Sequence, residues 1–381
     1  MKHKDRQRRG PQMLDKGKIS SLQLGVLMYP TVFAVGVLVL PASAAFYAKN
    51  DFWMTGIFTV VAGYAAVFAA TRLYRLFPGM TIAQYSEQII GTWAGKAVTL
   101  LFSFHLLQIT GIISRQYAEF VKGNFLFETP ILIIISSMVL VAAIAVRGGV
   151  EMIARSAMIF TPIFILPMFS LLLLFPDLHI KNMFPVLGHG ILPVLKGAAA
   201  PQAWVAQLFL ITFFLPSLSD PQKGKKWALL SLIAIIFSMT FINLMTLWLL
   251  GADTGNKTYP VLAAVRYISI ADFFENLEAL ILAMWIVGNF IKITVFYYAV
   301  VLSVGQCWKL SDYRPIVFPV GILVIACSIW GFPSFTSVGL HARIIAPFDV
   351  PVYQVVIPLL LLGIASLRRK FSGDKEGESS G

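Results

Sequence analysis

Apolar residues in this chain run in long blocks, each of about 20 positions or more, separated by short stretches of Lys, Arg, Gly, Pro and Ser. At 1.5 Å of rise per residue, a helical block of that length covers the hydrocarbon core of a bilayer. The pattern predicts ten spans, at roughly 19–48, 53–77, 94–122, 130–146, 152–175, 198–219, 227–251, 272–305, 315–332 and 350–367. Pro130 suits the first turn of the fourth span, and "SDPQKGKK" at 219–226 closes the sixth with a turn and a charge cluster. The expected fold is therefore all-α and integral to a membrane.

Composition agrees. With 58% hydrophobic and 13% charged residues, and a mean hydropathy of +0.79, the chain has too little polar surface for a soluble globular protein. Cys307 and Cys327 are too few for a disulfide framework or a cysteine-rich metal site, and no cofactor is expected. The net charge of +12 does not point to nucleic acid, because the basic residues sit in clusters between apolar runs. With the N-terminus in the cytoplasm, 21 of the 30 lysines and arginines fall inside and 8 outside, leaving Lys292 within a span. An even number of crossings then puts both termini in the cytoplasm. The expected organisation is a basic tail at 1–18, a membrane domain at 19–367, and a polar, disordered tail at 368–381. "PASAAF" imitates a signal-peptidase site, but the apolar run before it is longer than a signal core, so no cleavage is expected.

The stretch after span two, "PGMTIAQYSEQIIGTWAGK" (78–96), predicts a short interfacial helix. Thr81 and Gln84 form a capping box, and Ile82, Tyr85 and Ile89 share one face. Its end, "GTWAGKA", resembles a phosphate-binding loop only superficially: the first glycine is one residue too close to Gly-Lys, and Ala97 replaces the hydroxyl that would hold magnesium.

Span one contains "MYPTVFAVGVLVLPASAAF" (28–46), apolar enough for lipid yet carrying Pro30, Gly36 and Pro41. Irregular backbone survives at membrane depth where it is buried or lines a cavity, and in inverted-repeat transporters such breaks supply carbonyls and helix ends to a midplane site. The other reading is close helix packing at Gly36 and simple kinks at the prolines. If the chain is two five-helix halves of inverted topology, span six should break as well. It carries Gln202, Gln207 and Pro216 in "GAAAPQAWVAQLFLITFFLPSLSDP" (197–221).

"KISSLQLGVLMYPTVFAVGVLVLPA", the 78–96 linker and "KTYPVLAAVRYISIADFFENLEALILAMWIVGNF" together resemble the B-subunit of spore germinant receptors, the endospore germination permeases of the amino acid/polyamine/organocation transporter superfamily. The resemblance covers almost the whole chain. It implies broken helices one and six in a five-plus-five inverted repeat and a location in the inner membrane of the spore. It also implies assembly with a membrane A-subunit and a lipoprotein C-subunit, and sensing of a small nutrient, often an amino acid. "LITFFLPSLSD" in span six is bulky where transporting relatives are usually small.

Polar groups at mid-depth mark the candidate site, because they are costly in lipid and face cavities or partners. In the implied fold, Val35 and Gly36 of span one, His105 and Gln108 of span three, Gln207 and Phe213 of span six, and Trp285 and Asn289 of span eight converge as ligand-binding candidates. Lys292 has no acidic residue at its depth, the nearest being Glu119 and Glu278 near span ends. It suits an anionic ligand group, a snorkelling side chain, or a stand-in for a coupling cation, and the last is the preferred role. The alternative reading of Gln207 and Asn243 is interhelical glue, and of Trp204 and Trp285 bundle packing rather than a pocket wall. The function expected is that of a nutrient-sensing receptor subunit, with a proton-coupled amino-acid permease as the alternative. An enzyme is not expected, since Ser, His and acidic residues show no grouping of nucleophile and base, and His3, His179, His189 and His341 lie in peripheral segments.

Overall fold

Helix α1, Ser21–Ala48, is apolar on every side and correspondingly buried on every side; only Leu22, Phe46 and Tyr47 along it are exposed. It is the central rod of an all-helical bundle. The computed structural model describes residues 14–266 and 277–378. The basic tail over 1–13, the first residues of the span expected at 272–305 and the last three residues of the chain lie outside the described residues.

After α1 and a 3₁₀ turn, Lys49–Met54, come α2 (Val60–Leu76), the short α3 (Ile82–Ile90), α4 (Thr92–Asn124), α5 (Ile131–Gly148) and α6 (Val150–Ile165). The second half contains α7 (Ile191–Ala206), α8 (Pro221–Leu250), α9 (Pro260–Arg266), α10 (Leu277–Cys307), α11 (Val317–Trp330), α12 (Phe335–Leu340), α13 (Ala346–Pro351) and α14 (Ile357–Glu378). Eight helical runs among the described residues are long and apolar enough to cross a membrane, and Arg314–Trp330 is a shorter apolar helix. The chain is thus a multi-pass membrane protein.

Helices α6, α7, α8 and α10 pack directly on α1. Two glycines allow close approach to α1: a Cβ at Gly197 would lie 2.9 Å from the Ala48 methyl, and one at Gly288 would lie 3.0 Å from the Ala34 methyl. Helix α3 forms as its capping box requires. Both reciprocal hydrogen bonds between Thr81 and Gln84 are present, and Ile82, Tyr85 and Ile89 are buried. "GTWAGK" spans the end of α3 and the first turn of α4, so it forms no phosphate-cradling loop.

The structure corrects three expectations. Span one is wound as one helix rather than broken. Pro30 removes the N–H that the Val26 carbonyl would use, and the Thr161 hydroxyl donates to that carbonyl at 3.4 Å, so α1 keeps its winding. The last span begins near Phe335, not at 350, because Pro347 and Pro351 are absorbed by two π-helical segments, His341–Ile345 and Val352–Val356, instead of ending the helix. Helix α14 runs on to Glu378, so the stretch from 368, expected to be irregular, continues as helix through Arg368 and Arg369, both good helix formers. The expected change in span six is present: α7 ends at Ala206 and the chain tightens into 3₁₀ segments at Gln207–Phe213 and Leu215–Ser217.

The start of α1 is tied to the end of span six. Ile19 N–H donates to Ser217 O at 2.9 Å, Ser219 N–H donates to Ile19 O at 2.9 Å, and Ser21 N–H donates to Asp220 Oδ1 at 2.7 Å. Ahead of this bridge, Asp15 is buried. Its Oδ2 accepts from Val150 N–H at 2.8 Å, Tyr298 OH at 3.1 Å and Tyr313 OH at 3.2 Å. Its Oδ1 accepts from Gly17 N–H at 2.9 Å, so the carboxylate is satisfied by four donors, three of them from distant parts of the chain.

Candidate functional site

Lys292, on α10, is 1% exposed, and its amine does not reach an interface. Nζ donates to the Thr31 carbonyl at 2.7 Å, the Val32 carbonyl at 3.2 Å and Gln207 Oε1 at 2.6 Å, which uses all three donors of an ammonium group. The snorkelling alternative is therefore excluded. Two acceptors belong to α1 just past Pro30, and the third is the first residue of the 3₁₀ segment in span six. The switch from α to 3₁₀ winding at Gln207 sets the direction of that side chain. Charge on Nζ is held by three neutral dipoles and by the face of Phe296, 5.5 Å from the ring centroid.

Above Lys292, on the face where α1 ends, lies a cavity of about 400 Å³ whose lining includes Ser43, Gln116, Trp204, Tyr259, Trp285 and Arg343. Beneath it is a cavity of about 20 Å³ lined by Gln116, Trp204, Gln207, Lys292, His341 and Ala346, among others. Gln116, Trp204 and Ala342 line both and so lie between them. The lysine thus lines a small cavity that adjoins the larger one. On the opposite face the Ile19 bridge and the Asp15 cluster close the bundle.

The sequence-predicted residues separate into groups. Gln207 and Lys292 meet, and Trp285 walls the larger cavity while its indole N–H donates to Tyr117 O at 3.3 Å. Val35 is buried in α1, and Gly36 lines a separate cavity of about 10 Å³ facing Thr55 and Asn243. Asn243 Nδ2 donates to Phe52 O at 3.2 Å, which joins α8 to the turn after α1. Phe213 packs beside Phe102, and Gln108 stands near Gly331. Asn289 donates to Trp285 O at 2.9 Å, while its Oδ1 is buried without a partner.

His105 faces the last span. Its Nδ1 is 3.3 Å from Asp349 Oδ2, and its ring stacks on Tyr353 at 4.1 Å. Asp349 belongs to the span Phe335–Arg369, which overturns the expectation that acidic residues stay outside the spans or near their ends. His341, expected in a peripheral segment, lines the inner cavity. Sequence reasoning did not find Gln116, Asp349 and Gln354. The signal available for Asp349 was its place between two prolines in an otherwise apolar stretch.

The helical bundle packed around a central rod has the fold of membrane transporters. Solved structures with this fold include Mhp1, a nucleobase-cation-symport-1 family transporter in a closed conformation with bromovinylhydantoin bound. It has a TM-score of 0.70 and 9% identity, covering 93% of this chain and 80% of that one. MhsT in complex with L-phenylalanine has a TM-score of 0.64 and 10% identity, covering 93% and 99%. A Na+-coupled sialic acid symporter in a substrate-bound outward-open state has a TM-score of 0.66 and 12% identity, covering 88% and 80%.

The chain belongs to the spore germination protein family of permeases, which it matches over residues 18–336. Among its relatives, spore germination protein KB of Bacillus subtilis (strain 168) is 23% identical over 374 residues, covering 96% of this chain and 100% of the relative. Spore germination protein YndE of the same organism is 24% identical over 362 residues, covering 93% and 98%.

Proposed function

We propose that this chain is the nutrient-sensing membrane subunit of a spore germinant receptor and binds an amino-acid-sized nutrient between α1 and span six. The observation that carries this reading is that the small cavity lined by Lys292 and Gln207 shares Gln116, Trp204 and Ala342 with a cavity of about 400 Å³. Pockets for small ligands start at roughly 300 Å³. The nutrient enters past Trp285 and Trp204. Of the remaining candidates, Asn289 supplies an unmet acceptor beside Trp285 and His105 acts from behind the inner cavity. Val35, Gly36, Gln108 and Phe213 shape the helices around the seat.

Lys292 takes the place of a coupling cation. A monovalent metal ion is held by main-chain carbonyls and neutral side-chain oxygens, and the Nζ surroundings are of that kind. Splitting Ser21–Leu76 at its 3₁₀ turn and counting the shorter Arg314–Trp330 gives ten crossings, which supports two inverted halves of five. In this arrangement both termini are cytoplasmic, the membrane is the inner membrane of the spore, and the A-subunit and lipoprotein C-subunit read the conformational change. Ligand stabilises one conformation by its differential affinity and so biases the partners.

Thermal unfolding of the purified full chain against panels of amino acids, sugars and nucleosides tests the reading. At least one class should raise the melting temperature in proportion to the logarithm of its concentration, and Gln207→Ala should abolish the rise. A melting temperature indifferent to every class would remove the proposal. Uptake of labelled amino acid into vesicles containing this chain alone would favour transport over sensing.

A further inference from the structure

Behind the lysine site, His105 of α4 meets a second group of polar side chains on the last span. His105 is 3% exposed at its side chain, Asp349 29%, and their Nδ1–Oδ2 separation is 3.3 Å. The imidazole is clamped flat against Tyr353, with 9° between the rings. Its second nitrogen, Nε2, is 3.5 Å from Gln354 Nε2, while Gln354 Oε1 is buried without a partner. His341, on the adjoining π-helical segment, also has a buried Nε2 without a partner.

This arrangement suits either protonation state of one imidazole. When His105 is neutral with Nδ1–H toward Asp349, the Gln354 amide N–H faces the bare Nε2. When Nε2 carries a proton, rotation of the amide by half a turn presents the unpartnered Oε1 to it instead. One extra proton on the pair leaves imidazolium beside carboxylate, net neutral, in a region where net charge is costly. The titratable groups facing the pair are His341 and Tyr353 of the last span. Lys292 of α10 shares the inner cavity with His341. On α11, Cys327 lies against Gly111 of α4, and α7 contributes Trp204 rather than an ionisable group.

Asp349 sits on α13, a single short helix set between the two π-helical segments. Such segments occur frequently at functional sites. Ala346 and Val350 of the same short helix line the inner cavity, and Ala342, one turn earlier, lines both cavities.

We propose that His105 and Asp349 form a binding site for a single proton, and that its occupancy moves α13 and thereby changes access to the inner cavity. The inference stands on this geometry and does not depend on which nutrient binds or on whether the chain transports it.

The test uses the full chain in lipid nanodiscs with histidine ring nitrogens labelled. With five histidines in the sequence, the His105 signal is assigned by its loss in His105→Gln. It should titrate as one proton, and Asp349→Asn should displace its midpoint by about one pH unit or more, whereas His341→Gln should leave it within a few tenths. A His105 signal that does not titrate between about pH 4 and 9, or that is indifferent to Asp349→Asn, overturns the site. The coupling is read separately as the thiol-labelling rate of Ala342→Cys in a chain lacking Cys307 and Cys327, normalised to a cysteine at Gly123. The normalised rate should change at least threefold across the His105 titration and be flat in His105→Gln. A rate flat in both chains, or changing equally in both, overturns the coupling. If His105→Gln or Asp349→Asn fails to fold, His105→Asn and Asp349→Ser replace them in the assignment and the displacement, and neither readout requires the nutrient.

Discussion

Lys292 Nζ and Gln207 Oε1 lie 2.6 Å apart, joining α10 to the residue at which span six changes from α to 3₁₀ winding. The pair makes Gln207 more than a polar lining residue, because it supplies one of the three acceptors of a fully buried amine.

Removing the acceptor is therefore expected to cost more than removing the amine. Gln207→Leu leaves a buried ammonium one partner short and should destabilise the fold by about 1.5–3 kcal/mol. Lys292→Met leaves the Thr31 and Val32 carbonyls in helical α1 and should cost less. The double variant should recover part of the Gln207→Leu loss, as seen in a double-mutant cycle of melting temperatures.

Trp204 lines both cavities, so Trp204→Ala should merge them. Nutrient-induced stabilisation should weaken at least tenfold in apparent affinity, while melting without nutrient should fall by the amount expected for truncating a large buried side chain, about 3–5 kcal/mol. Ligand titration monitored by thermal unfolding separates the two effects.

Asp220 gives a pH dependence outside the spans. The Ser21 backbone N–H, donating to its carboxylate, is the largest of the causes that hold it below the usual carboxylate range. Its folded value is depressed, so the stability it contributes is present above the ordinary value near 4 and is lost as pH falls through the lower folded value. Asp220→Asn should lower the melting temperature at pH 7, and the difference should shrink as the solution is acidified below about pH 4.

Asp15 accepts four hydrogen bonds, three of them from distant parts of the chain. Asp15→Ala should leave Tyr298 and Tyr313 hydroxyls without that acceptor. Amide exchange at Lys16–Ser20 should rise at least tenfold, with exchange in the middle of α8 unchanged.

The helical spans were legible because lipid imposes one requirement on every block, and the capping box of α3 because its residues are three apart. The site was legible only in part. Lys292 stood out as a charge in an apolar run, but Gln207 is 85 positions away, and nothing local announces their contact. The prolines misled in both directions. Pro30 suggested a break that Thr161, on another helix, makes unnecessary, and Pro347 and Pro351 hid the membrane position of Asp349. In each case the deciding partner comes from a remote part of the sequence, so pattern and propensity have no access to it.

The main-chain bridge at Ile19 joins α1 to span six at one end only, while their other ends flank the open cavity. Bonds of that kind break together or not at all. A solute arriving from the cavity side meets a floor made of two main-chain hydrogen bonds at Ile19 and the carboxylate knot at Asp15. In this conformation the cavity is a blind pocket, open on the side where α1 ends and shut on the side where it begins.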